Sequence, residues 1–277
     1  MLKFLKRKFE KFQVQVFRKF IIKFYEIYMN LNRFRLKIVK IDGITYHLDL
    51  NELCDRNIYF LSYQDKYVHN SIIKLCKNGM VALDIGANIG AYTFIMAQLV
   101  GKKGQVIAFE PTSWAFSKLK KNMELNNFNN IILNRIALSN ETKTEKRHFI
   151  SSWLVKGGQN PFSKSDDIIQ FITLDDYLLK NGILKVDFIK LDVNGFELKV
   201  LQGATKTLKE CKPIIILETC IQSPNLRVED IFYYLIDYGY VFYSIVNLKK
   251  INSFNKLINS IYNRSTLDVI ASTEPLK

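Results

Sequence analysis

A glycine-rich turn between a short apolar strand and a helix is the strongest candidate for chemistry in the sequence. The segment reads Val81-Ala-Leu-Asp-Ile-Gly-Ala-Asn-Ile-Gly90, so apolar residues lead directly into the turn. Gly86 and Gly90 allow the backbone to turn tightly and to approach a ligand closely. Twenty residues after Gly90, Glu110 closes the next apolar strand, where an acidic side chain can bind ribose hydroxyls. The spacing predicts a site for a ligand that contains a nucleoside.

The charge of the turn separates two classes of nucleoside ligand. The turn has the form GxNxG and lacks the glycine of GxGxxG at which a pyrophosphate approaches the backbone. The carboxylate of Asp84 would repel a pyrophosphate but attract a sulfonium and an amino group. We therefore expect S-adenosylmethionine rather than a dinucleotide. An ordinary strand–turn–helix with Asp84 as a helix cap is the alternative.

The alternation of strands and helices around this turn predicts the fold. Apolar runs separated by helices indicate a parallel sheet that is covered on both faces. The predicted strands are 80–85, 105–110, 131–137, 186–192, 213–218, 240–245 and 267–272, and the predicted helices are 91–100, 113–126, 197–210 and 228–238. The last two strands have no clear helix between them, which indicates a hairpin at one edge. Residues 139–171 are predicted to be one long irregular stretch, and such loops often belong to a site.

Two segments precede the sheet. Apolar residues at steps of three and four over residues 2–31, with lysines and arginines between them, predict a basic amphipathic helix. Residues 36–50 predict a β-hairpin with Asp42-Gly43 at its turn, and a helix over 57–77 follows. We therefore divide the chain into a basic helical segment (1–35), a hairpin and helix (36–78) and a main domain (79–277).

The positive charge is concentrated in the first of these segments. Residues 1–40 carry twelve Lys and Arg against two Glu, which is +10 of the net charge of +14. The main domain thus carries too little positive charge to indicate binding to nucleic acid, and nucleic acid is not expected as a partner. The basic helix over residues 2–31 suits an anionic membrane surface or packing on protein, and both remain open. Without a run of 18 apolar residues, the chain is expected in the cytoplasm, with peripheral membrane contact as an option.

The motifs together resemble the FkbM family of methyltransferases. The resemblance covers about residues 75–220, with the motifs in the family's order and spacing. The motifs are Leu83-Asp-Ile-Gly-Ala-Asn-Ile-Gly90 with Tyr92-Thr93, Val106-Ile-Ala-Phe-Glu-Pro111, Thr173-Leu-Asp-Asp176, Phe188-Ile-Lys-Leu-Asp-Val-Asn-Gly-Phe-Glu197, Val200-Leu-Gln-Gly-Ala204 and Lys212-Pro-Ile-Ile-Ile-Leu-Glu218. The resemblance implies a class I methyltransferase fold, which is α/β, Rossmann-like and doubly wound, with a mostly parallel seven-stranded sheet. It also implies S-adenosylmethionine as methyl donor and a hydroxyl of a small molecule or glycan, such as a lipid-linked sugar, as acceptor.

By position, the resemblance also assigns cofactor contacts. The turn should hold the methionine moiety through Asp84, Gly86, Ala87, Asn88 and Gly90, and Glu110 should hold the ribose. Residues 134–139, with Asn134 and Ala137 as the chosen contacts, should border the adenine. Asp192 should lie beside the reactive methyl group. The family often has Glu where this chain has Asn194, which puts any role of that Glu in doubt here.

Three carboxylates are candidates for the acceptor chemistry. A sugar hydroxyl is barely acidic, so a side chain that receives its proton during attack would accelerate the reaction. The candidates are Asp192, Glu197 and Glu218, with Asp192 as the preferred base. Glu197 suits a helix N-terminal carboxylate equally well, and Glu218 suits a residue that only closes its strand.

No metal is predicted. The four cysteines lack the spacing of metal ligands and are expected to be free thiols. The histidines His47, His69 and His148 are expected to be structural, and His148 merits most notice because it enters the predicted loop. Methylation of an RNA ribose 2′-hydroxyl, or a non-catalytic module that binds a membrane or a partner, are the alternative functions.

Overall fold

The computed structural model describes residues 36–150, 164–220, 228–253, 255, 257–259 and 266–276. The helix predicted over residues 2–31 lies outside this part of the chain. The strands are β1 (Leu36–Ile41), β2 (Ile44–Asp49), β3 (Val81–Ile85), β4 (Gln105–Phe109), β5 (Ile131–Asn134), β6 (Ala137–Leu138), β7 (Lys143–Ile150), β8 (Lys164–Ile172), β9 (Phe188–Leu191), β10 (Ile214–Cys220), β11 (Val241–Ser244) and β12 (Thr266–Ser272). The helices are α1 (Leu53–Leu61), α2 (Lys66–Leu75), α3 (Thr93–Val100), α4 (Ser113–Glu124), α5 (Leu174–Lys180), α6 (Glu197–Gln202), α7 (Thr205–Glu210) and α8 (Val228–Asp237). In the described ranges, each helix is too short or too polar to cross a membrane.

Seven strands form the central sheet, in the order β11-β12-β10-β9-β3-β4-β5. The five strands from β10 to β5 are parallel, and β12 is antiparallel to both of its neighbours. Alternate side chains of β3 enter opposite cores, since Ala82 packs with α2 and α3, whereas Leu83 and Ile85 pack with α5, α6 and α8. The predicted doubly wound, mostly parallel seven-stranded sheet is confirmed, and so is the antiparallel pair at one edge.

The predicted hairpin before the sheet is also confirmed. Asp42 and Gly43 occupy its turn with φ of 48° and 85°, as a tight two-residue turn requires. The inner face of β2 packs on α4, where the side-chain oxygen of Asn122 accepts a hydrogen bond from the backbone N–H of His47 at 2.7 Å. The hairpin is thereby joined to the layer of helices that covers the sheet.

Two helices predicted as continuous are broken in the structure. The helix predicted over 57–77 is instead α1 and α2, because Ser62 takes a left-handed φ of 64° and ends α1. The helix predicted over 197–210 is α6 and α7, and the break falls at Gly203. A Cβ at Gly203 would lie 2.0 Å from the carbonyl oxygen of Ser139, so this close approach of two backbones interrupts the helix.

A second sheet replaces the irregular stretch predicted over 139–171. It consists of β6, β8 and β7 in that order, and residues 151–163 lie outside the described part. The prediction was wrong because residues 143–148, although alternately half-buried and exposed, are polar on both faces and give no alternation of hydrophobicity. The strand predicted over 131–137 also ends early, at Asn134, since the chain then leaves the central sheet to form β6.

The parallel strands end at one edge of the central sheet. β3, β4 and β9 end there at Ile85, Phe109 and Leu191, so the residues that follow them are neighbours in space. β12 runs in the opposite direction, and its register places Asp268 across from Glu218 of β10. This edge therefore collects polar side chains from four strands.

Candidate active site

A cavity of about 360 Å³ opens at the carboxyl ends of β3, β4 and β9. One part of its wall is polar and glycine-rich, and the other part is apolar. Its lining residues are Gln64, Ile85, Gly86, Ala87, Asn88, Tyr92, Phe109, Glu110, Pro111, Thr112, Ile136, Ala137, Leu138, His148, Phe171, Lys190, Asp192, Val193, Asn194 and Phe196. The predicted turn and the residues after the second and fourth strands thus meet in one place.

The glycine turn is held in place by close backbone contact. Gly86 has φ of 82°, and a Cβ there would lie 1.8 Å from the carbonyl oxygen of Asp192. Gly86, Ala87 and Asn88 line the cavity as predicted. Gly90 does not line it, and its missing side chain makes room for Phe94 instead, whose ring would lie 2.4 Å from a Cβ. The second glycine is therefore required by packing and not by ligand approach.

Asp84 lies beneath the turn and not in the cavity wall. Its side chain has no exposed surface, and its Oδ2 accepts a hydrogen bond from the Thr93 hydroxyl at 2.5 Å. Its Oδ1 has no hydrogen-bond partner among the described residues, although the ammonium of Lys190 is 3.6 Å away. Burial raises the pKa of Asp84, while the charge of Lys190 acts in the opposite direction. Asp84, which was predicted to contact the cofactor, thus lies one layer below the cavity and does not line it.

Glu110 closes β4 at the cavity as predicted. Its Oε2 accepts from the backbone N–H of Asn88 at 2.9 Å, and its Oε1 accepts from the backbone and the hydroxyl of Thr112. Burial raises the pKa of Glu110, and these hydrogen bonds oppose that shift. The carboxylate is fixed between the turn and the residue that follows β4, and its Oε2, which accepts one of these hydrogen bonds, can accept another.

The apolar end of the cavity corrects one predicted contact. Ile136, Ala137 and Leu138 line it with two phenylalanines. Asn134 does not, because its side-chain oxygen accepts a hydrogen bond from the hydroxyl of Tyr177 at 3.0 Å. Its amide group also donates to a backbone carbonyl of β4. Ala137 is placed as predicted, whereas Asn134 serves to connect β5 with α5.

Asp192 follows β9 and is partly open to the cavity, with 29% of its side chain exposed. Its Oδ2 is 3.3 Å from the ammonium of Lys190. The side chain of Glu218 forms a hydrogen bond with Asp192 from the next strand. Asp192, the predicted base, is therefore exposed to the cavity on one side and contacts Lys190 and Glu218 on the other.

Glu218 and Asp268 lie behind Asp192, outside the cavity wall. Burial raises the pKa of Glu218 to about 9, and repulsion from Asp192 and the hydrogen bond to it add to the shift. Burial and the charge of Asp192 raise the pKa of Asp268 to about 7. Glu218 thus holds a proton at neutral pH and donates it in the hydrogen bond to Asp192. Asp268 was missed in the sequence because antiparallel pairing, and not sequence spacing, brings it to this edge.

Glu197 stabilises the loop after β9. Its Oε1 accepts hydrogen bonds from the backbone N–H groups of Val193 and Gly195, at 3.0 and 3.1 Å. It is fully buried and does not line the cavity, and burial raises its pKa. The structure therefore favours the alternative in which Glu197 is an N-terminal helix carboxylate. Asn194, between the two donors, has a left-handed φ of 52°, which Asn tolerates better than Glu does.

Lys190 is the site residue that the sequence analysis did not name. It stands in the middle of the apolar strand β9, is 4% exposed, and still reaches the cavity wall. The signal was available, because a lysine within an apolar strand that is buried on both faces must be paired. Asp192 is its one partner close in sequence. The other two, Asp84 of β3 and the Gly86 carbonyl of the glycine turn, could not be read from spacing.

The histidines differ in their positions. His148 lines the cavity, and its Nδ1 lies 2.9 Å from Oδ1 of Asp166 on the neighbouring strand. His47 contacts Lys121, and His69 stacks near Tyr63, both away from the cavity. Within the described ranges, no group of three or more His, Cys, Asp or Glu side chains is arranged to hold a metal ion.

Comparison with known proteins agrees with this architecture. The chain is 29% identical over 137 residues to the hexuronic acid methyltransferase AglP of Haloferax volcanii, which covers 49% of this chain and 54% of that protein. It is 26% identical over 159 residues to Methyltransferase 1 of Beauveria bassiana, which covers 50% and 64%. The chain thus spans little more than half of the length of these relatives. A crystal structure of methyltransferase FkbM from Methylobacillus flagellatus matches with 18% identity and a TM-score of 0.45, over 70% of this chain and 43% of that one.

The model of the methyltransferase FkbM domain matches residues 84–242, which is more than half of the chain. The match begins at the glycine turn and extends beyond β10, so it includes the cavity and the residues after β9. The class I methyltransferase fold expected from the sequence agrees with the strand order of the central sheet. The chain belongs to the FkbM methyltransferase family.

Proposed function

We propose that this protein is an S-adenosylmethionine-dependent O-methyltransferase that acts on a hydroxyl of a small molecule or glycan. The observation that carries the proposal is the position of Asp192. Its carboxylate opens into the cavity at the point where its own backbone contacts the glycine turn. A nucleoside site and an acid–base group are thus adjacent, which transfer from a nucleoside donor to a protic acceptor requires.

The cavity fits S-adenosylmethionine, which supplies an electrophilic methyl group when bound. Glu110 presents free acceptor capacity for ribose hydroxyls beside the turn, and Ile136, Ala137 and Leu138 form an apolar surface for the base. Beneath the turn, the buried Oδ1 of Asp84 lacks a hydrogen-bond donor. This excess of carboxylate around the turn suits a cationic ligand and disfavours a pyrophosphate.

The acceptor chemistry belongs to Asp192. A hydroxyl that enters from the open side of the cavity can donate a hydrogen bond to this carboxylate and lose its proton to it as the new bond to oxygen forms. Glu218 assists from behind, because its hydrogen bond orients Asp192. Glu197 keeps the loop that carries Asp192 in place through two backbone hydrogen bonds. Glu197 and Glu218 are therefore assigned to support and Asp192 to catalysis.

The likeness to a hexuronic acid methyltransferase supports a sugar as the acceptor. Among the described residues of the cavity wall, the ammonium of Lys190 already faces Gly86 and two carboxylates, so it is not available to bind the carboxylate of a hexuronic acid. The cavity therefore favours a hydroxyl of a sugar that carries no charge. A lipid-linked sugar at an anionic membrane belongs to the same proposal, and the basic character of residues 1–31 supports it.

Calorimetric titration with S-adenosylmethionine, followed by transfer of its labelled methyl group to a panel of neutral sugars and hexuronic acids, tests the function. Asp192→Asn should bind S-adenosylmethionine within about threefold of the wild type, since only one carboxylate charge near the cation is lost, but should transfer methyl groups about 10² to 10⁴ times more slowly. Asp187→Asn is the matched control, because Asp187 precedes β9 at the opposite end and bonds the backbone of Val81. Absence of cofactor binding by the folded wild type, or unchanged transfer by Asp192→Asn, would contradict the proposal. Methylation of RNA in place of the sugars would redirect it to ribose 2′-hydroxyls.

A further inference from the structure

We infer that Lys190 is a positioning residue that fixes the Gly86 carbonyl and the Asp192 carboxylate relative to each other and balances the carboxylate charge that faces the methyl donor. The inference rests on the proposed function, because the ligand in question is S-adenosylmethionine. It extends that function because one side chain, that of Lys190, would set both the separation and the charge balance between the glycine turn, which faces the donor, and Asp192, which faces the acceptor.

Lys190 occupies a central place in the sheet. It lies on β9, between β3 and β10, and its register partners are Asp84 and Ile216. Its neighbours along the strand, Phe188, Ile189 and Leu191, are buried and apolar. A lysine that is 4% exposed in such a strand is retained only where its charge has partners.

The ammonium of Lys190 donates a hydrogen bond to one carbonyl oxygen, and two carboxylates lie within ion-pair distance of it. Nζ lies 3.0 Å from the carbonyl oxygen of Gly86, 3.3 Å from Oδ2 of Asp192 and 3.6 Å from Oδ1 of Asp84. The ring of Tyr92 is 5.5 Å away. One side chain thus joins the turn that follows β3 to the residue that follows β9.

The same two loops also touch through their backbones. A Cβ on Gly86 would lie 1.8 Å from the carbonyl oxygen of Asp192, so little space separates the loops above the lysine. Lys190 contacts both from below, which restricts movement of the turn relative to the catalytic carboxylate. A displacement of about 1 Å between reacting groups can cost a hundredfold in rate, so such a contact has functional value.

Lys190 does not act as a base. Burial alone would lower its pKa, but the charges of Asp192 and Asp84 outweigh burial and raise it above the ordinary value. The side chain therefore stays cationic and has no lone pair to accept a proton. Its contribution is limited to geometry and charge.

The charge balance yields a test with two ligands. Lys190, Asp84 and Asp192 together carry one net negative charge, and removal of the ammonium leaves two carboxylates facing each other. Glu218 from β10 and the ring of Tyr92 are the other groups near the ammonium. S-adenosylmethionine carries a positive sulfur and its demethylated product does not, so their relative affinities report the charge, whereas a loosened turn weakens both equally.

Lys118 offers a matched control. Its ammonium lies 3.0 Å from Oε2 of Glu52 and 2.7 Å from Oδ2 of Asp55, and it is largely buried, but none of the three residues lines the cavity. Lys118→Met therefore removes the same chemical group from the same kind of network elsewhere. Any general effect of losing a buried lysine should appear in both variants.

The experiment is calorimetric titration of the full chain with S-adenosylmethionine and with S-adenosylhomocysteine. For Lys190→Met we expect binding of the neutral product to weaken about tenfold, and that of the cationic donor about threefold, so that the preference for the donor rises. Lys190→Arg keeps the charge but changes the geometry, and should weaken both ligands by the same factor. Lys118→Met should change neither affinity by more than about twofold.

Equal losses for the two ligands in Lys190→Met, or the same change in Lys118→Met, would overturn the inference. If circular dichroism shows that Lys190→Met does not fold, Lys190→Arg decides alone, and wild-type affinities in that variant would overturn the positioning role. Failure of the wild type to bind either ligand would instead refute the proposed function, so the two failures are distinguishable.

Discussion

The described part of the chain contains two largely buried lysine networks, which differ most in the exposure of one carboxylate. In the closed network, Lys118 of α4 binds Glu52 and Asp55 at the start of α1, and the two carboxylates are 3% and 0% exposed. In the open network, Lys190 of β9 binds Asp84, which is 0% exposed, and Asp192, which is 29% exposed. Each network joins one ammonium to two carboxylates. They differ in the exposure of one carboxylate and in the Gly86 carbonyl, which Lys190 also contacts.

This difference separates a structural connection from a site. The carboxylates of the closed network are buried away from the cavity. Oδ2 of Asp55 also accepts a hydrogen bond from the backbone N–H of Asp49, whereas its Oδ1 has no hydrogen-bond partner among the described residues. The closed network connects the segment before the sheet to α4. In the open network, one carboxylate is left free to meet a ligand while the lysine holds it from behind. A buried ion network alone is therefore weak evidence for function, and a partly exposed member beside a cavity makes it stronger.

The largest expected effect on stability comes from the backbone contact that only the open network has. Gly86→Ala should lower the free energy of unfolding by about 4 kcal/mol, because the new Cβ combines an unfavourable φ with a clash against the backbone of Asp192. Gly239→Ala is the control, since Gly239 has nearly the same φ, 83°, and no atom within 4 Å of its Cβ position. That variant should lose only about 1 kcal/mol in urea unfolding. Similar losses in the two variants would show that the glycine turn and the loop after β9 can separate freely. The backbone contact would then not hold the open network in a fixed geometry.

Lys118→Met should have the next largest effect and should sharpen the contrast in function. Removing the ammonium of a buried ion network leaves its carboxylates less compensated, above all the buried Asp55, and should cost about 3 kcal/mol of unfolding free energy. Thermal unfolding with and without S-adenosylmethionine should nevertheless show the same stabilisation by the ligand as in the wild type. If Lys118→Met folds but is no longer stabilised by S-adenosylmethionine, the closed network contributes to ligand binding. The functional distinction between the two networks would then be wrong.

The sequence predicted the elements whose signals are local. Apolar runs identified the strands of the central sheet, and the Asp42-Gly43 pair identified the hairpin. The glycine turn and Glu110 lie at the cavity because each directly follows a parallel strand, so strand order alone brings them together. Patterns of this kind depend only on residues that are close in sequence, so they can be read before the fold is known.

The parts that sequence analysis missed depend on contacts between distant segments. Residues 143–148 of β7 are polar on both faces and resemble a loop in sequence. In β8 only the second half alternates, with Ile169 and Phe171 buried and Gln170 exposed, which is a short signal. Asn134 carries the type of side chain that could bind adenine, but Tyr177 from α5 accounts for its position. Lys190 and Asp268 acquire their surroundings from neighbouring strands, and no spacing rule along one chain reports which strand lies beside which.

The smallest expected effect concerns the carboxyl group behind the open network. In the folded protein, burial raises the pKa of Glu218 from 4.5 to about 9, whereas the unfolded chain has the ordinary value. Between these two pH values the folded state keeps a proton that the unfolded state has released. The free energy of unfolding must therefore fall as pH rises through this range, and this contribution is complete below the unfolded value and lost above the folded one.

Glu218→Gln removes this titration while keeping the side-chain volume and a hydrogen-bond donor toward Asp192. Urea unfolding between about pH 5.5 and pH 8.5 should show a smaller loss of stability in the variant than in the wild type, because the variant has no proton to release at this position. Glu210→Gln serves as control, because its carboxylate is 60% exposed and distant from the cavity, and its pH profile should match that of the wild type. An unchanged slope in Glu218→Gln would mean that Glu218 is ionised at neutral pH. Asp192 would then lie next to a second negatively charged carboxylate, that of Glu218. The open network would need another positive charge besides that of Lys190.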